Sequence, residues 1–251
     1  MATPSFDLPG TGPKSLSQLP QTTKHRDALP VATYETSRLS HFCDAFVGER
    51  GTLNLTGKAM SFPIVGIGAS AGGLESISAL LAGIPASTGM AYVFVLHLDP
   101  GHVSHLAKIL SNRAALPVEE AREGAIFPDH LYVTIPNTTL TITSHVLHLR
   151  SRDPAERPHR PVDILFLSLA ERKGPNVIGV ILSGSGSDGA KGIQAIKEAG
   201  GITFAEEENS ASFFGMPSSA IQTGCVDFIL NPCDIAQELV GISLQYRLQT
   251  G

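Results

Sequence analysis

The sequence predicts an α/β fold: a doubly wound, mostly parallel sheet flanked by helices on both faces, with an antiparallel edge hairpin. Three observations predict it. Short apolar runs alternate with amphipathic stretches from Phe62 onward. The runs at Pro63–Ile67, Val177–Leu182 and Ile202–Ala205 are continuous and rich in β-branched or small residues, as in strands covered on both faces. Strand followed by helix followed by strand implies right-handed crossovers, and hence parallel pairing.

Taken in order, residues 1–60 differ from the rest. They are rich in Pro, Ser, Thr and Gly and hold no sustained period. They read as a flexible N-terminal tail or linker, with a short helix near Ser40–Phe46. Residues 61–248 read as one folded domain. Strands are expected at Pro63–Ile67, Ala91–Leu96, Leu131–Ile135, Val177–Leu182, Ile202–Ala205 and Val226–Leu230. Helices are expected at Leu74–Ala82, Ser104–Asn112, Val162–Arg172, Ala190–Ala199, Pro217–Thr223 and Asp234–Tyr246. The segment Leu131–Arg150 breaks the rhythm. It is rich in Thr, Val and His with a turn signal at Asn137, and reads as antiparallel strands at a sheet edge.

Composition narrows the classes of function. The chain has 251 residues, a formal net charge of −5 and no Lys/Arg run, which argues against a nucleic-acid partner. No apolar stretch approaches the roughly 18–20 residues of a membrane span, so direct membrane insertion is not expected. The N-terminus lacks the apolar core of a secretory signal. Cys43, Cys225 and Cys233 are an odd set with no C-x-x-C spacing, which fits a reduced, cytoplasmic chain.

Three short segments carry chemistry. Gly66-Ile67-Gly68-Ala69-Ser70-Ala71-Gly72-Gly73 follows a buried strand and opens a helix. It fits G-x-S-x-G, in which a sharp turn exposes a serine hydroxyl at the ligand edge of a parallel sheet. The amides after Ser70, that of Ala71 first, can stabilise a developing oxyanion. The same octapeptide also begins a dinucleotide loop, but the second strand ends in Leu96-His97 rather than an acidic residue. A tight turn without chemistry is the third reading. His97 stands one step past the strand Ala91–Leu96, at the edge Ser70 occupies, and can act as its base if the two strands are neighbours. His102 and His105 suggest a metal, yet no further His or Cys pair supplies the three or four ligands zinc needs, so neither metal nor cofactor is expected. Asp188, in Ser183-Gly184-Ser185-Gly186-Ser187-Asp188-Gly189, suits two compatible roles: capping the next helix, or orienting His97. Ser, His and Asp thus follow three strands, in an order unlike the Ser…Asp…His of α/β-hydrolases.

The motifs GIGASAGGLESI, VLHLDPGHVS, RPVDILFLSLA, IGVILSGSGSDGAKGIQAIKEAGG and FFGMPSSAI resemble the catalytic domain of the CheB protein-glutamate methylesterases, in order from about Phe62 to Ser243. HLDPGH and LSGSGSDG look most like the esterase domains fused to receptor methyltransferases. The resemblance implies hydrolysis of glutamate methyl esters on methyl-accepting chemotaxis receptors, releasing methanol, and deamidation of glutamine there. It maps the nucleophile to Ser70, the base to His97, the acid to Asp188, and the oxyanion donors to the amides of Ala71 and Ser185. Ser185 stands where many relatives have methionine, Ala71 where many have threonine, and Glu206-Glu207-Glu208 where a glutamine-containing stretch is usual. The family usually carries an N-terminal receiver domain. Residues 1–60 are too few and have no βα pattern, so that switch is expected to be absent. A non-catalytic signalling module that kept the fold, and a nucleotide-binding protein, are the competing classes.

Overall fold

The computed structural model describes residues 62–98, 104–153, 155 and 158–250, with the side chain of Thr250 excepted. The tail expected over 1–60, its short helix, Cys43 and His102 lie outside the described residues.

Among the described residues there are ten strands and six helices. They are β1 (Ile64–Ala69), α1 (Gly73–Ala82), β2 (Ala91–Leu96), α2 (Leu106–Ser111), β3 (Val118–Glu120), β4 (Gly124–Ala125), β5 (Leu131–Val133) and β6 (Thr138–Thr143). After these come β7 (Val146–Ser151), α3 (Pro161–Ala170), β8 (Val177–Ile181), α4 (Ala190–Glu198), β9 (Ile202–Glu206), α5 (Gly215–Ile221), β10 (Phe228–Leu230) and α6 (Pro232–Thr250). Seven strands form one sheet in the order β10-β9-β8-β1-β2-β5-β3, and every pairing in it is parallel. β1, β8 and β9 are buried along their whole length, as continuous apolar runs require.

Successive strand residues face opposite sides of a sheet, and β1 shows what covers each side. A Cβ on Gly68 would come within 2.2 Å of Val162 in α3. A Cβ on Gly73, the first residue of α1, would meet Ala69 at 2.5 Å. Helices α3 and α1 therefore cover opposite faces of β1, the doubly wound arrangement. The absence of side chains at Gly66 and Gly68 lets α3 lie close to the strand. Phe166 and Leu169 of α3 fill the space over Gly66.

The antiparallel strands differ in placement from the sequence expectation. β6 and β7 form the expected hairpin, but with β4 they make a separate sheet, in the order β4-β7-β6. Leu131–Val133 does not join them. It enters the main sheet as β5, parallel to both β2 and β3. Its three residues are all buried, and its pairing partners are 39 residues away for β2 and 13 for β3, a separation that local patterning does not encode. Among the described residues no helix is long and apolar enough to cross a membrane.

Candidate functional site

Strand order reverses at β1: β2 lies on one side and β8 on the other. In open α/β sheets such a switch point, at the carboxyl ends of the strands, is where ligands bind. Ser70 follows β1 there. Its amide donates to the Ser183 carbonyl after β8 (3.0 Å), and the Ala69 carbonyl before it accepts the His97 amide after β2 (3.2 Å). Ala69 pairs with Leu96, so Ser70 and His97 occupy the next step of the same register. The expectation that their strands are neighbours holds.

The turn at Ser70 depends on glycine. Gly72 adopts φ 73°, in the left-handed region, and a Cβ there would lie 2.6 Å from the Ser183 hydroxyl. Helix α1 begins only at Gly73, whose amide donates to the Ser70 carbonyl at 3.0 Å. Ser70 and Ala71 thus sit on the turn before the helix, both partly exposed. Gly184 lets the loop after β8 pass against this turn, since a Cβ there would approach Ser70 Cβ and N at 3.0 Å. Ser185, next in that loop, is exposed. Among the described residues, neither the Ala71 nor the Ser185 amide has an acceptor.

His97 and Asp188 meet. His97 Nε2 donates to Asp188 Oδ2 at 2.7 Å, with the side chains 31% and 5% exposed. A carboxylate only accepts, so Nε2 carries the hydrogen, and in the neutral ring the lone pair is on Nδ1. His97 comes from beyond β2 and Asp188 from beyond β8, so this bond spans the end of β1, where Ser70 stands.

Asp188 does cap a helix, but not the next one. The N-cap of α4 is Gly189, with no side-chain cap bond. Asp188 instead accepts from the first turn of α3: Val162 N to Oδ2 at 3.0 Å and Asp163 N to Oδ1 at 2.9 Å. Pro161 opens α3 and has no amide to satisfy. The positive end of α3 thus faces the carboxylate, which also holds the imidazole. Asp163 returns the arrangement by accepting from Gly192 N in the first turn of α4 at 2.9 Å, while Oδ2 takes Arg160 at 3.3 Å.

The roles of two residues escaped the sequence reading. Ser183 is fully buried; its hydroxyl donates to the Ala71 carbonyl at 2.9 Å and accepts from Phe213 N at 3.0 Å, tying three loops together. Glu206 ends β9 at 0% exposure. Its carboxyl accepts from Ser183 N at 2.8 Å and from the Ser210 hydroxyl at 3.0 Å, so it fastens the loop beneath Ser70. Its place in an acidic run was the only signal, and such a run ordinarily faces water.

Beside His97 a cavity of about 210 Å³ opens, lined also by Thr134, Asn137, Thr138, Arg152 and His159. Among the described residues no group of three His, Cys, Asp or Glu side chains is placed to hold a metal, and His105 is exposed at the start of α2.

Fold and site together define a doubly wound α/β protein that gathers a serine, a histidine and an aspartate around its topological switch point. The family model for CheB methylesterase matches residues 65–239, and the chain belongs to that family. The protein-glutamate methylesterase/protein-glutamine glutaminase of Photorhabdus laumondii is 36% identical over 182 residues, covering 70% of this chain and 52% of the relative. That of Bordetella parapertussis is 38% identical over 189 residues, covering 72% and 53%. The chain therefore spans about half the length of these curated relatives. The crystal structure of the Thermotoga maritima CheB methylesterase catalytic domain matches with a TM-score of 0.66 and 31% identity, over 73% of this chain and 100% of that one.

Proposed function

We propose that the chain is a protein-glutamate methylesterase, and a protein-glutamine deamidase by the same chemistry, acting on methyl-accepting chemotaxis receptors. The observation that carries this reading is the His97–Asp188 bond spanning the strand end that bears Ser70. Membership of the family and the printed activities of the relatives support the substrate class. The thiols of Cys225 and Cys233 are free, which supports a reducing, cytoplasmic setting.

In the proposed mechanism His97 Nδ1 takes the Ser70 proton as the hydroxyl attacks the ester carbonyl. Asp188 holds Nε2–H, fixes this tautomer and stabilises the imidazolium. The amides of Ala71 and Ser185 donate to the oxyanion. As the tetrahedral intermediate collapses, the C–O bond to methanol breaks and Nδ1–H protonates the leaving oxygen. Water then adds to the glutamyl-serine ester by the same route, giving a glutamate carboxylate and free Ser70. An amide follows the same steps and releases ammonia.

The test is methanol release from a methylated receptor. Ser70→Ala should lower turnover by roughly 10⁴ to 10⁶ while keeping the wild-type circular dichroism spectrum. Near-normal methanol release by the folded variant would remove Ser70 from the mechanism and favour a non-catalytic module or another nucleophile.

A further inference from the structure

We propose that Arg152 selects acidic protein segments, by pairing with a carboxylate carried on the substrate close to the residue whose ester is cleaved. This rests on the esterase reading and adds the feature of the substrate that the site reads.

The cavity beside His97 is the physical basis. At about 210 Å³ it is smaller than the roughly 300–1,000 Å³ of sites for whole small-molecule ligands, and it suits one side chain. Arg152 and His97 line the same space, so a group seated there lies beside the reacting centre. Thr134, Asn137 and Thr138 add hydrogen-bonding groups, and among the described residues no carboxylate lines it.

Arg152 is held in place, and no salt bridge to it is found among the described residues. It directly follows Ser151, the last residue of β7, which pairs with Thr138 of β6. Its amide donates to the Asn137 carbonyl at 2.9 Å, one step beyond the Thr138–Ser151 pair, and Asn137 takes φ 59° in the turn before β6. The base of the side chain is thus fixed by the mouth of the hairpin. Among the described residues no carboxylate pairs with its guanidinium, whereas Arg160 nearby is committed to Asp163 and to Ser187. A guanidinium in such a place matches a carboxylate through two parallel hydrogen bonds, which a hydrated ammonium reproduces less well.

The partner chemistry follows. An acidic helical peptide presents carboxylates three and four residues from the esterified glutamate on the same face, within reach of a neighbouring cavity. The cleaved ester itself becomes such a carboxylate.

The experiment uses the whole chain and two helical peptides, each with one glutamate γ-methyl ester. One peptide has glutamates three and four residues to either side, and the other has glutamines there. The readout is methanol release, as the ratio of kcat/KM for the acidic peptide to that for the glutamine peptide. Wild type should favour the acidic peptide about tenfold, chiefly through KM, and salt should erode the preference. Arg152→Ala should bring the ratio to about one, and Arg152→Lys should restore part of it. A wild-type ratio near one, or a preference that survives in Arg152→Ala, overturns the proposal and leaves the esterase reading standing. Should Arg152→Ala fail to fold, the wild-type ratio and Arg152→Lys decide. Release from neither peptide by wild type would instead overturn the esterase reading, and this proposal with it.

Discussion

Asp188 divides two oxygens among three donors: Oδ2 takes His97 Nε2 and Val162 N, and Oδ1 takes Asp163 N. In Asp188→Asn one oxygen becomes an NH₂, which cannot accept. With the NH₂ in place of Oδ2, it points at Nε2, favours the wrong imidazole tautomer and leaves Val162 N without its acceptor. With the NH₂ in place of Oδ1, Asp163 N loses its acceptor. We expect methanol release to fall about 10³- to 10⁴-fold, with a stability loss of about 1 kcal/mol read from the urea midpoint. An unchanged rate would leave Asp188 as a helix cap alone. The placement of Ser70, His97 and Asp188 at one sheet edge was legible in the sequence because each stands on a loop that follows a buried strand. The role of Asp188 in α3 was not legible, since its acceptors serve amides 25 and 26 residues earlier in the chain. Glu206 was hidden for a different reason. Charge in a sequence signals water, and only the folded chain reveals that Ser183 and Ser210 satisfy both of its oxygens.

At the scale of elements, the contact between α3 and α4 depends on an absent side chain. A Cβ on Gly192 would sit 2.3 Å from Phe166 Cβ, an atom tied to its own backbone and unable to swing aside. Gly192→Ala should therefore destabilise the protein by about 1–3 kcal/mol, despite the better helix propensity of alanine. Equilibrium urea unfolding checks this, and a variant as stable as wild type would mean that α3 and α4 separate at little cost. β1, β2, β8 and β9 were readable from their apolar runs to within about two residues at either end, as were most helices. β3 was not. Val118–Glu120 is three residues long, two of them exposed acids, and it is a strand only because β5 pairs with it. β5 in turn looked like part of the Thr-rich hairpin that follows it, because alternation within a segment says nothing about which sheet receives it.

For the whole molecule, acid sensitivity should come in part from a contact remote from Ser70. His145 packs against Phe62 with ring centroids 4.4 Å apart and the planes tilted by 49°, and its Nε2 accepts from Arg172 Nη2 at 3.2 Å. Burial, followed by the charge of Arg172, holds its pKa below the ordinary value of 6.5, against a backbone hydrogen bond at Phe62 that acts the other way. The unfolded chain takes up a proton near that ordinary value and the folded chain does not until lower pH. Stability is thus full above about pH 6.5 and declines as pH falls from there to the folded pKa, below which this contribution is constant. His145→Gln, which keeps an acceptor for Arg172, should flatten this part of a melting-temperature profile against pH. An identical slope in the variant would assign the acid sensitivity elsewhere.

The paired caps of α3 and α4 have a mechanical consequence. Each helix is closed at its start by a carboxylate that belongs to the other's neighbourhood: Asp188 stands just before α4 and serves α3, while Asp163 stands in α3 and serves α4. The two form a clasp, and neither can fray at its first turn without undoing the other. Since the same clasp aims the imidazole of His97, the orientation of that ring is underwritten by two helices rather than by a loop.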